Sequence, residues 1–317
     1  MQILVTGGAG FIGSNLVRSL LQDNRVSKVR VLDNFATGHL SNITDLTSDS
    51  RFEIVEGDIR NAEDCKKACE GIDAISHQAA LGSVPRSIAD PQTSHKVNVD
   101  GFVNMLEAAR ANGIKRMVYA SSSSVYGDLP DSPKVETRLG KVLSPYASTK
   151  LANEVYAESW SKVYQMQLIG FRYFNVFGPM QDPNGAYAAV IPLFMKAALR
   201  NEPPTINGDG SITRDFTPVA NVVQINTKGM LNPFEGSFHK VLNVACGHTT
   251  NLLSLWNMIK QQAGASIEPN FGPNRPGDIL QSLADISEAK QFLGYEPDVD
   301  LNASLASTME WYKKYIL

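Results

Sequence analysis

A glycine-rich turn close to the start of the chain limits its possible folds more than any other feature of the sequence. An apolar run that ends at Thr6 is typical of a buried strand, and apolar residues from Phe11 to Leu21 recur at helical spacing. The glycines at the junction of these two elements are Gly7, Gly8, Gly10 and Gly13. The last three form a G-x-G-x-x-G spacing, in which the missing side chains let the backbone turn tightly and approach pyrophosphate oxygens. The turn therefore predicts a dinucleotide whose diphosphate lies at the helix N-terminus.

A carboxylate follows this turn at the distance that indicates which dinucleotide is bound. After the run V-R-V-L comes Asp33, 20 residues beyond Gly13. A carboxylate at this place accepts hydrogen bonds from a ribose 2′-OH and repels a 2′-phosphate. The sequence therefore predicts NAD rather than NADP.

Composition and charge favour an ordinary globular protein over other classes. The 317 residues suggest two domains, and they include 43% hydrophobic and 19% charged residues. A net charge of −3 gives no electrostatic footprint for nucleic acid or for an anionic membrane. Met1 leads directly into an apolar run, and no run approaches the roughly 18 residues of a membrane span. We therefore expect no signal peptide and no membrane segment.

The cysteine content points to a reducing compartment. The chain has three cysteines, Cys65, Cys69 and Cys246, which are too few for a disulfide framework. Cys65 and Cys69 lie one turn apart on a predicted helix and have no zinc-ligand partners nearby in the sequence. We expect reduced structural thiols in a cytoplasmic protein, and no metal site.

Two further predicted strands end in residues that suit a cofactor cleft. The run from Phe52 to Asp58 predicts a third strand, whose end lies where an adenine would bind in an open α/β sheet. Asp58 could equally cap the next helix, with Asn61 as its competitor. The run 74–80 predicts a fourth strand that ends in small residues, and we expect His77 within it to be structural.

A tyrosine and a lysine on one predicted helix are candidates for acid–base chemistry. Tyr146 and Lys150 stand four residues apart, which places both on the same helix face. An adjacent cation and the positively charged nicotinamide of NAD favour the phenolate, so we expect a lowered pKa for Tyr146 and proton transfer near neutral pH. Four serines, 121–124, end the preceding strand, and Ser122 lies 24 residues before Tyr146.

Together these motifs resemble one known family. G-G-A-G-F-I-G, Asp33, D-I at 58, Q-A-A at 78, S-S-S-S-V-Y-G and Y-A-S-T-K are similar to the extended short-chain dehydrogenase/reductase family, in its nucleotide-sugar branch. The resemblance implies an α/β fold, a doubly wound parallel sheet of Rossmann type, with a smaller C-terminal substrate domain. It places the NAD domain at residues 1–171, with return segments near 215–245, and mainly the substrate domain at 172–317. It also implies a homodimer joined through two helices per subunit.

The same resemblance implies roles for individual residues. The catalytic residues would be Tyr146, Lys150 and Ser122, with Ser121 as the alternative serine. Besides Tyr146 and Lys150, the NAD-binding residues would be Gly7, Gly10, Phe11, Ile12, Gly13, Asp33, Asn34, Gly38, Asp58, Ile59, Gln78, Ala79, Ala80, Asn98 and Tyr173. The residues that bind the UDP-sugar would be Gly82, Ser83, Ser122, Ser123, Asn175, Gln181, Ala189, Val190, Arg214, Arg275, Asp278 and Ser282. One departure is the pair Ala220-Asn221, where the family usually carries two acidic residues.

The chain lacks acidic residues that some reactions of this branch need, and this indicates which reaction it catalyses. Dehydratases of this branch carry Asp-Glu before V-Y-G and decarboxylating relatives carry a Glu there, whereas this chain has Ser123-Ser124. The resemblance therefore implies 4-epimerisation of a UDP-sugar through a 4-keto intermediate. The resemblance also places a gate residue beside the sugar at Ser282, where a small side chain leaves room for a 2-acetamido group, so we expect UDP-GlcNAc and UDP-GalNAc as the substrate pair. UDP-glucose/UDP-galactose and UDP-glucuronate remain alternatives, and a non-catalytic NAD-binding regulator is a more distant one.

Overall fold

Seven parallel strands form the central sheet of the computed structural model, which describes residues 1–184, 188–273, 281–298 and 300–315. The strands along the chain are β1 (Gln2–Thr6), β2 (Lys28–Asp33), β3 (Phe52–Glu56), β4 (Ala74–His77), β5 (Arg116–Ser122), β6 (Gln167–Tyr173), β7 (Val176–Phe177), β8 (Thr205–Asn207), β9 (Thr213–Arg214), β10 (Thr217–Pro218), β11 (Phe238–Val244), β12 (Thr250–Asn251), β13 (Asn270–Gly272) and β14 (Gln281–Ser282). The main sheet has the strand order β11-β6-β5-β4-β1-β2-β3. From β1, successive strands are added first on one side and then on the other, while all of them stay parallel. This order confirms the predicted doubly wound Rossmann fold.

Helices cover both faces of this sheet. They are α1 (Phe11–Gln22), α2 (Ala62–Ala68), α3 (Val84–Ala89), α4 (Pro91–His95), α5 (Gly101–Ala111), α6 (Pro145–Tyr164), α7 (Val190–Arg200), α8 (Val219–Leu231), α9 (Leu252–Ala263), α10 (Ser287–Leu293) and α11 (Leu301–Tyr315). Successive side chains of β1 alternate between the two layers. Ile3 and Val5 pack in the core beneath α1 and α8, whereas Leu4 packs in the core beneath α2 and α5. A strand buried on both faces explains the continuous apolar run at the start of the chain.

Several predicted boundaries shift in the structure. The third and fourth strands end at Glu56 and His77, two and three residues earlier than predicted. Helix α4 begins at Pro91, because Asp90 caps it by accepting a hydrogen bond from the Thr93 amide. A π-helical turn at 96–100 then links α4 to α5. The last helix, α11, runs from Leu301 to Tyr315.

The C-terminal part of the chain builds a separate apolar core. Side chains from α7, α9 and α11 meet there, among them Phe194, Trp256 and Tyr312. Strand β11 lies within the stretch predicted to return to the first domain, and it pairs with β6 at the edge of the main sheet. The domain boundary at 171 stays a prediction. Within the described ranges, no helix is both long and apolar enough to span a bilayer.

The three cysteines are free and buried. Burial raises the pKa of each thiol to about 12. A thiol with such a pKa stays protonated and unreactive near neutral pH. All three are therefore structural, as the sequence predicts.

Candidate active site

The glycine turn between β1 and α1 has the shape that a diphosphate needs. Gly7 has a φ of +69°, and a Cβ on Gly13 would lie 2.1 Å from the Gly7 carbonyl oxygen. Gly10 is the N-cap of α1 and offers no side chain to the amide groups of the first helical turn. These N–H groups and the helix dipole attract an anion. The turn therefore fits the diphosphate of a dinucleotide.

A cleft of about 650 Å³ opens beside this turn, where the strand order reverses at β1. Ligands bind at such switch points in open α/β sheets. Many predicted NAD-binding residues line it: Gly7, Gly10, Phe11, Ile12, Gly13, Asp33, Asn34, Gly38, Asp58, Ile59, Gln78, Ala79 and Ala80. Gly82, predicted to bind the sugar, also lines the cleft.

The Asp33 carboxylate holds the backbone around the cleft. It accepts hydrogen bonds from the amides of Ala9 and Phe35, each at 2.9 Å. Asp33 is only 8% exposed, and it lies at the end of β2 in the cleft lining. The same residue therefore supports the glycine turn and presents a negative charge to the cleft.

Asp58 lines the cleft and leaves helix capping to its competitor. The Asn61 side chain accepts a hydrogen bond from the Glu63 amide at 3.0 Å and caps α2. Asp58 accepts from the Asn34 amide group at 2.8 Å and pairs with the Arg60 guanidinium at 2.6 Å. The hydrogen bond from Arg60 lowers the pKa of Asp58 to about 2. Asp58 therefore stays ionised in the cleft.

The sequence analysis missed nine residues that line the same cleft: Leu32, Ala36, Thr37, Gly57, Arg60, Leu81, Arg86, Thr93 and Val97. Six of them directly flank residues that were predicted, so the neighbourhood of each motif was the available signal. Thr93 carries no local signal, because the packing of α4 brings it to the cleft.

Tyr146, Lys150 and Ser122 come together at the start of α6. Ser144 caps this helix, and Pro145 occupies its first position. Ser122 lies close enough to the Tyr146 hydroxyl for hydrogen bonding between them to lower the Tyr146 pKa. The Lys150 ammonium lies 6.0 Å from the centre of the Tyr146 ring and donates to the Ala120 carbonyl at 2.8 Å. The three side chains that the sequence analysis selected are therefore neighbours.

Burial has the largest effect on the pKa values of Tyr146 and Lys150. Burial raises the pKa of Tyr146 above its usual value, and the hydrogen bond with Ser122 opposes this rise. Burial also lowers the pKa of Lys150 to about 8. The lowered Tyr146 pKa expected from Lys150 together with the nicotinamide stays a prediction for the NAD-bound protein, because in the protein alone desolvation of the phenol is the largest effect.

The partners of the serines decide between Ser121 and Ser122. Ser121 is buried and donates to a carboxylate oxygen of Glu154 at 2.5 Å. Ser122 ends β5 and accepts hydrogen bonds from the amide and the hydroxyl of Ser124. Ser123 begins the short 3₁₀ turn that follows. The geometry favours Ser122 as the serine that works with Tyr146.

Asn98 and Tyr173 support the cleft from behind. The Asn98 side chain accepts from the Leu81 amide at 2.8 Å and donates to the Leu81 carbonyl at 3.2 Å. The Tyr173 hydroxyl donates to the Gln78 side chain at 3.1 Å and accepts from Asn226 at 2.8 Å. Both predicted NAD-binding residues therefore hold residues of the cleft lining.

His77 is structural, as the sequence analysis expects. Its Nδ1 atom lies 2.9 Å from the Thr6 hydroxyl, and the side chain is almost completely buried. Burial lowers the pKa of His77 to about 3. It therefore stays neutral at physiological pH.

Comparison with known proteins identifies the family. Residues 3–245 match the model of the NAD dependent epimerase/dehydratase family. The chain belongs to this family. The match confirms the predicted family, the NAD cofactor and the enzyme class, an NAD-dependent epimerase.

Individual relatives match over their full length. The UDP-glucose 4-epimerase of Mycolicibacterium smegmatis is 38% identical over 315 residues, which are 99% of each chain. The structure of a UDP-N-acetylglucosamine 4-epimerase from Methanobrevibacter ruminantium M1, in complex with UDP-N-acetylmuramic acid, has a TM-score of 0.92 at 36% identity and covers 99% of this chain and 98% of that chain. A UDP-glucuronic acid 4-epimerase from Bacillus cereus, in complex with UDP-glucuronic acid and NAD, has a TM-score of 0.90 at 32% identity, with 99% of both chains covered.

In this epimerase-family chain, the predicted sugar-nucleotide residues lie on several segments that are distant in the sequence. Arg214 and Ser282 are directly paired on the parallel strands β9 and β14. Asn175 has a positive φ of 37° and donates from its side chain to the Asp215 carbonyl at 3.0 Å. The Ser83 hydroxyl caps α3 by accepting from the Arg86 amide at 3.2 Å. The pairing of β9 with β14 thus brings two predicted sugar-nucleotide residues side by side.

Other predicted residues of this group lie around the segment before α7. Gln181 donates from its side chain to the Val176 carbonyl at 3.2 Å. Ala189 is the N-cap of α7, and Val190 is its first residue. Two further predicted residues, Arg275 and Asp278, lie outside the described residues, so the structure gives no position for them.

At the departure Ala220-Asn221, the asparagine makes a contact between distant segments. The Asn221 amide group donates to the Asp298 carbonyl, and its oxygen accepts from the Asp298 amide, both at 2.8 Å. An asparagine carries both a donor and an acceptor, which a carboxylate does not. Asn221 therefore joins α8 to the segment that leads into α11.

Proposed function

We propose that this chain is a UDP-sugar 4-epimerase that interconverts UDP-GlcNAc and UDP-GalNAc through a 4-keto intermediate. The observation that carries the 4-epimerase proposal is the contact of Tyr146 with Ser122 beside Lys150, at the strand ends next to the dinucleotide cleft. A purely regulatory NAD-binding protein has no need of this arrangement. The relatives named as UDP-sugar 4-epimerases also support it.

The residues of the cleft suit each part of NAD. The open amides of the glycine turn would hold the diphosphate, and Asp33 would accept hydrogen bonds from a ribose hydroxyl. NAD supplies a reversible hydride acceptor when it is bound. Because it is regenerated in each turnover, we expect it to stay with the protein.

Tyr146 would move the proton in this mechanism. It would take the proton from the O4′ hydroxyl of the sugar, aided by a hydrogen bond from Ser122. It would return the proton after the keto sugar has rotated and presents its other face. Since burial raises the Tyr146 pKa, the phenolate needs positive charge nearby. Lys150 supplies such a charge, and the nicotinamide ring adds another.

The residues beside Ser122 favour epimerisation over dehydration. Elimination of water needs an additional acid and base, which dehydratases of the resembling branch carry as Asp-Glu before V-Y-G. Here the Ser124 hydroxyl donates to Ser122 at 2.9 Å, so it supports the serine and adds no carboxylate. Ser123 is likewise uncharged.

The preference for acetylated sugars depends on Ser282. It is half-buried on β14 beside Arg214, which we propose as a diphosphate ligand. A small side chain there leaves space beside the sugar ring, whereas a tyrosine would exclude a 2-acetamido group. UDP-glucose and UDP-glucuronate are the alternative substrates, because the relatives named for them are 38% and 32% identical to this chain, against 36% for the relative named for UDP-N-acetylglucosamine.

Product analysis by NMR tests both levels of this proposal. The purified protein is incubated separately with UDP-GlcNAc, UDP-glucose and UDP-glucuronate, and kcat/KM is measured for each. We expect the highest value for UDP-GlcNAc. Ser282→Tyr should lower kcat/KM for UDP-GlcNAc by roughly tenfold or more and spare UDP-glucose, while Ser282→Ala keeps the preference. Turnover of none of the three contradicts the epimerase, and a preference for UDP-glucose contradicts the sugar assignment.

A further inference from the structure

A buried ion pair lies directly behind the proposed catalytic residues. Glu154 and Arg172 are 6% and 3% exposed, and their side chains make two hydrogen bonds, at 2.9 and 2.7 Å. Arg172 also donates to the Glu136 carbonyl at 3.0 Å and lies 4.9 Å from the centre of the Tyr126 ring. All of these contacts are enclosed by protein.

Stability is a weak explanation for such a pair. Desolvation of two charges offsets much of their attraction, and apolar residues of similar size often stabilise a core as well or better. A buried pair is better explained where it holds neighbouring elements in one arrangement. The position of Glu154 within the fold indicates which elements these are.

The pair joins the three elements that carry the proposed chemistry. Glu154 lies on α6, one turn beyond Lys150 and two turns beyond Tyr146. Arg172 lies on β6, directly opposite Ser121 on β5 in the parallel pairing. The Ser121 hydroxyl donates to the same Glu154 oxygen that Arg172 binds. One carboxylate therefore fastens the ends of two strands to the helix.

Ser122 is the residue whose position this contact determines. It follows Ser121 at the last position of β5, and its side chain contacts Tyr146 on the same helix α6. We propose that the Glu154–Arg172 pair is a positioning device that holds β5 against α6, so that Ser122 meets Tyr146. This inference rests on the proposed function and adds positioning residues that touch neither substrate nor cofactor.

The chemical consequence follows from the hydrogen bond between Ser122 and Tyr146. That bond lowers the Tyr146 pKa, against the rise caused by burial. If Ser122 moves away, the bond weakens and the phenolate forms at higher pH. Other groups that sense Glu154 are Arg172, Tyr119 and His239 on neighbouring strands, while Tyr146 faces Ser122 and Lys150.

The test is Glu154→Gln in the NAD-bound enzyme. Phenolate formation at Tyr146 is followed by ultraviolet difference titration, with Tyr146→Phe in the same background as the blank. We expect a pKa about one unit higher, and kcat at neutral pH about tenfold lower, because one pKa unit changes the phenolate fraction tenfold. KM should change less than about twofold, since the predicted substrate residues lie elsewhere.

Three further variants separate positioning from a structural role. Glu158→Gln is the matched control one turn along α6, where Glu158 pairs with Lys162 and His239 at a half-exposed site, and it should leave the Tyr146 titration unchanged. Ser121→Ala keeps the ion pair and should shift the titration in the same direction by less. The double variant Ser122→Ala/Glu154→Gln should shift the Tyr146 titration no further than Ser122→Ala alone, because both changes act through one hydrogen bond.

Each outcome decides between the proposals. An unchanged Tyr146 titration in both Glu154→Gln and Ser121→Ala overturns the positioning role, even where activity falls with stability. If Glu154→Gln does not fold, Ser121→Ala alone makes the decision. A wild-type protein that turns over no UDP-sugar contradicts the proposed function, while the titration still reports whether the pair positions Ser122.

Discussion

At the scale of single residues, neighbouring side chains of one type do different work because a strand points them in opposite directions. Ser121 bonds to buried Glu154, whereas Ser122 contacts Tyr146. The sequence shows only a run of four serines, and the spacing to Tyr146 favours one of them. The burial and the partner of Ser121 supply the physical reason for that choice.

Removal of the Tyr146 hydroxyl should abolish turnover and keep the cofactor. Tyr146→Phe deletes the proton-transfer oxygen, and the cleft residues around the glycine turn remain intact. We expect kcat to fall by at least about a hundredfold. NAD content, measured after denaturing the purified protein, should equal that of wild type. Near-normal turnover would contradict the role of Tyr146 as the proton carrier.

Asp33 should determine the preference for NAD over NADP. Asp33→Asn keeps the shape of the side chain and removes the charge that would repel a 2′-phosphate. We expect the ratio of the NADP to the NAD dissociation constant to fall, by calorimetry on protein freed of cofactor. Loss of affinity for both cofactors alike would show that Asp33 acts only by holding the amides of Ala9 and Phe35.

At the scale of elements, one buried carboxylate joins three segments around the proposed sugar-nucleotide site. Asp215 follows β9, and its side chain accepts from the amides of Cys246, Gly247 and Ala284 at 2.9, 3.0 and 3.5 Å. Its own amide donates to the Ser282 carbonyl at 2.9 Å. The short strands β9 and β14 thus depend on a side chain for their attachment to the end of β11.

This carboxylate should make stability depend on pH in a defined direction. Burial raises the pKa of Asp215 from 3.8 to about 6. A raised pKa in the fold means that the contribution is fully present below about pH 4 and is lost as pH rises through about 6. Relative to Asp215→Asn, the wild-type free energy of unfolding should therefore fall by on the order of 3 kcal/mol from pH 4 to pH 7.

Urea unfolding at several pH values measures this difference. Asp209→Asn is the control, because Asp209 is exposed and its hydrogen bond with Ser211 lowers its pKa. That variant should follow the wild-type pH dependence between pH 5 and 7. Parallel curves for wild type and Asp215→Asn would show that Asp215 ionises normally in the fold.

At the scale of the whole molecule, local motifs made the sheet and the cleft predictable, and tertiary packing accounts for the rest. The glycine turn and Asp33 are recognisable because their chemistry lies within one β-α-β unit. Asn98 reaches back 17 residues to Leu81, and Tyr173 reaches 95 residues to Gln78, so no short pattern encodes those contacts. The rise of the Tyr146 pKa on burial has no local pattern either, because desolvation depends on the packed surroundings of the phenol.

The surface of α6 bears on the prediction that two copies of the chain associate. Val155 and Val163 are 64% and 68% exposed, and Tyr156 is 38% exposed beside them. Val155 and Val163 lie about two turns apart along one side of the helix, with Ser159 between them. Exposed apolar side chains grouped in this way are typical of a protein interface. Together with the family resemblance, this stripe leads us to expect a homodimer in which α6 packs against a second copy of the chain.

Charges placed in that stripe should separate the two subunits. Light scattering coupled to size exclusion should give twice the chain mass for wild type and one chain mass for Val155→Glu/Val163→Glu, because an unpaired carboxylate is costly to bury in an apolar contact. Leu193→Glu is the matched control on α7, where Leu193 is 47% exposed and lies outside the stripe. It should leave the dimer intact. A wild-type monomer at all concentrations, or a dimer that survives the double substitution, would place the contact elsewhere or exclude it.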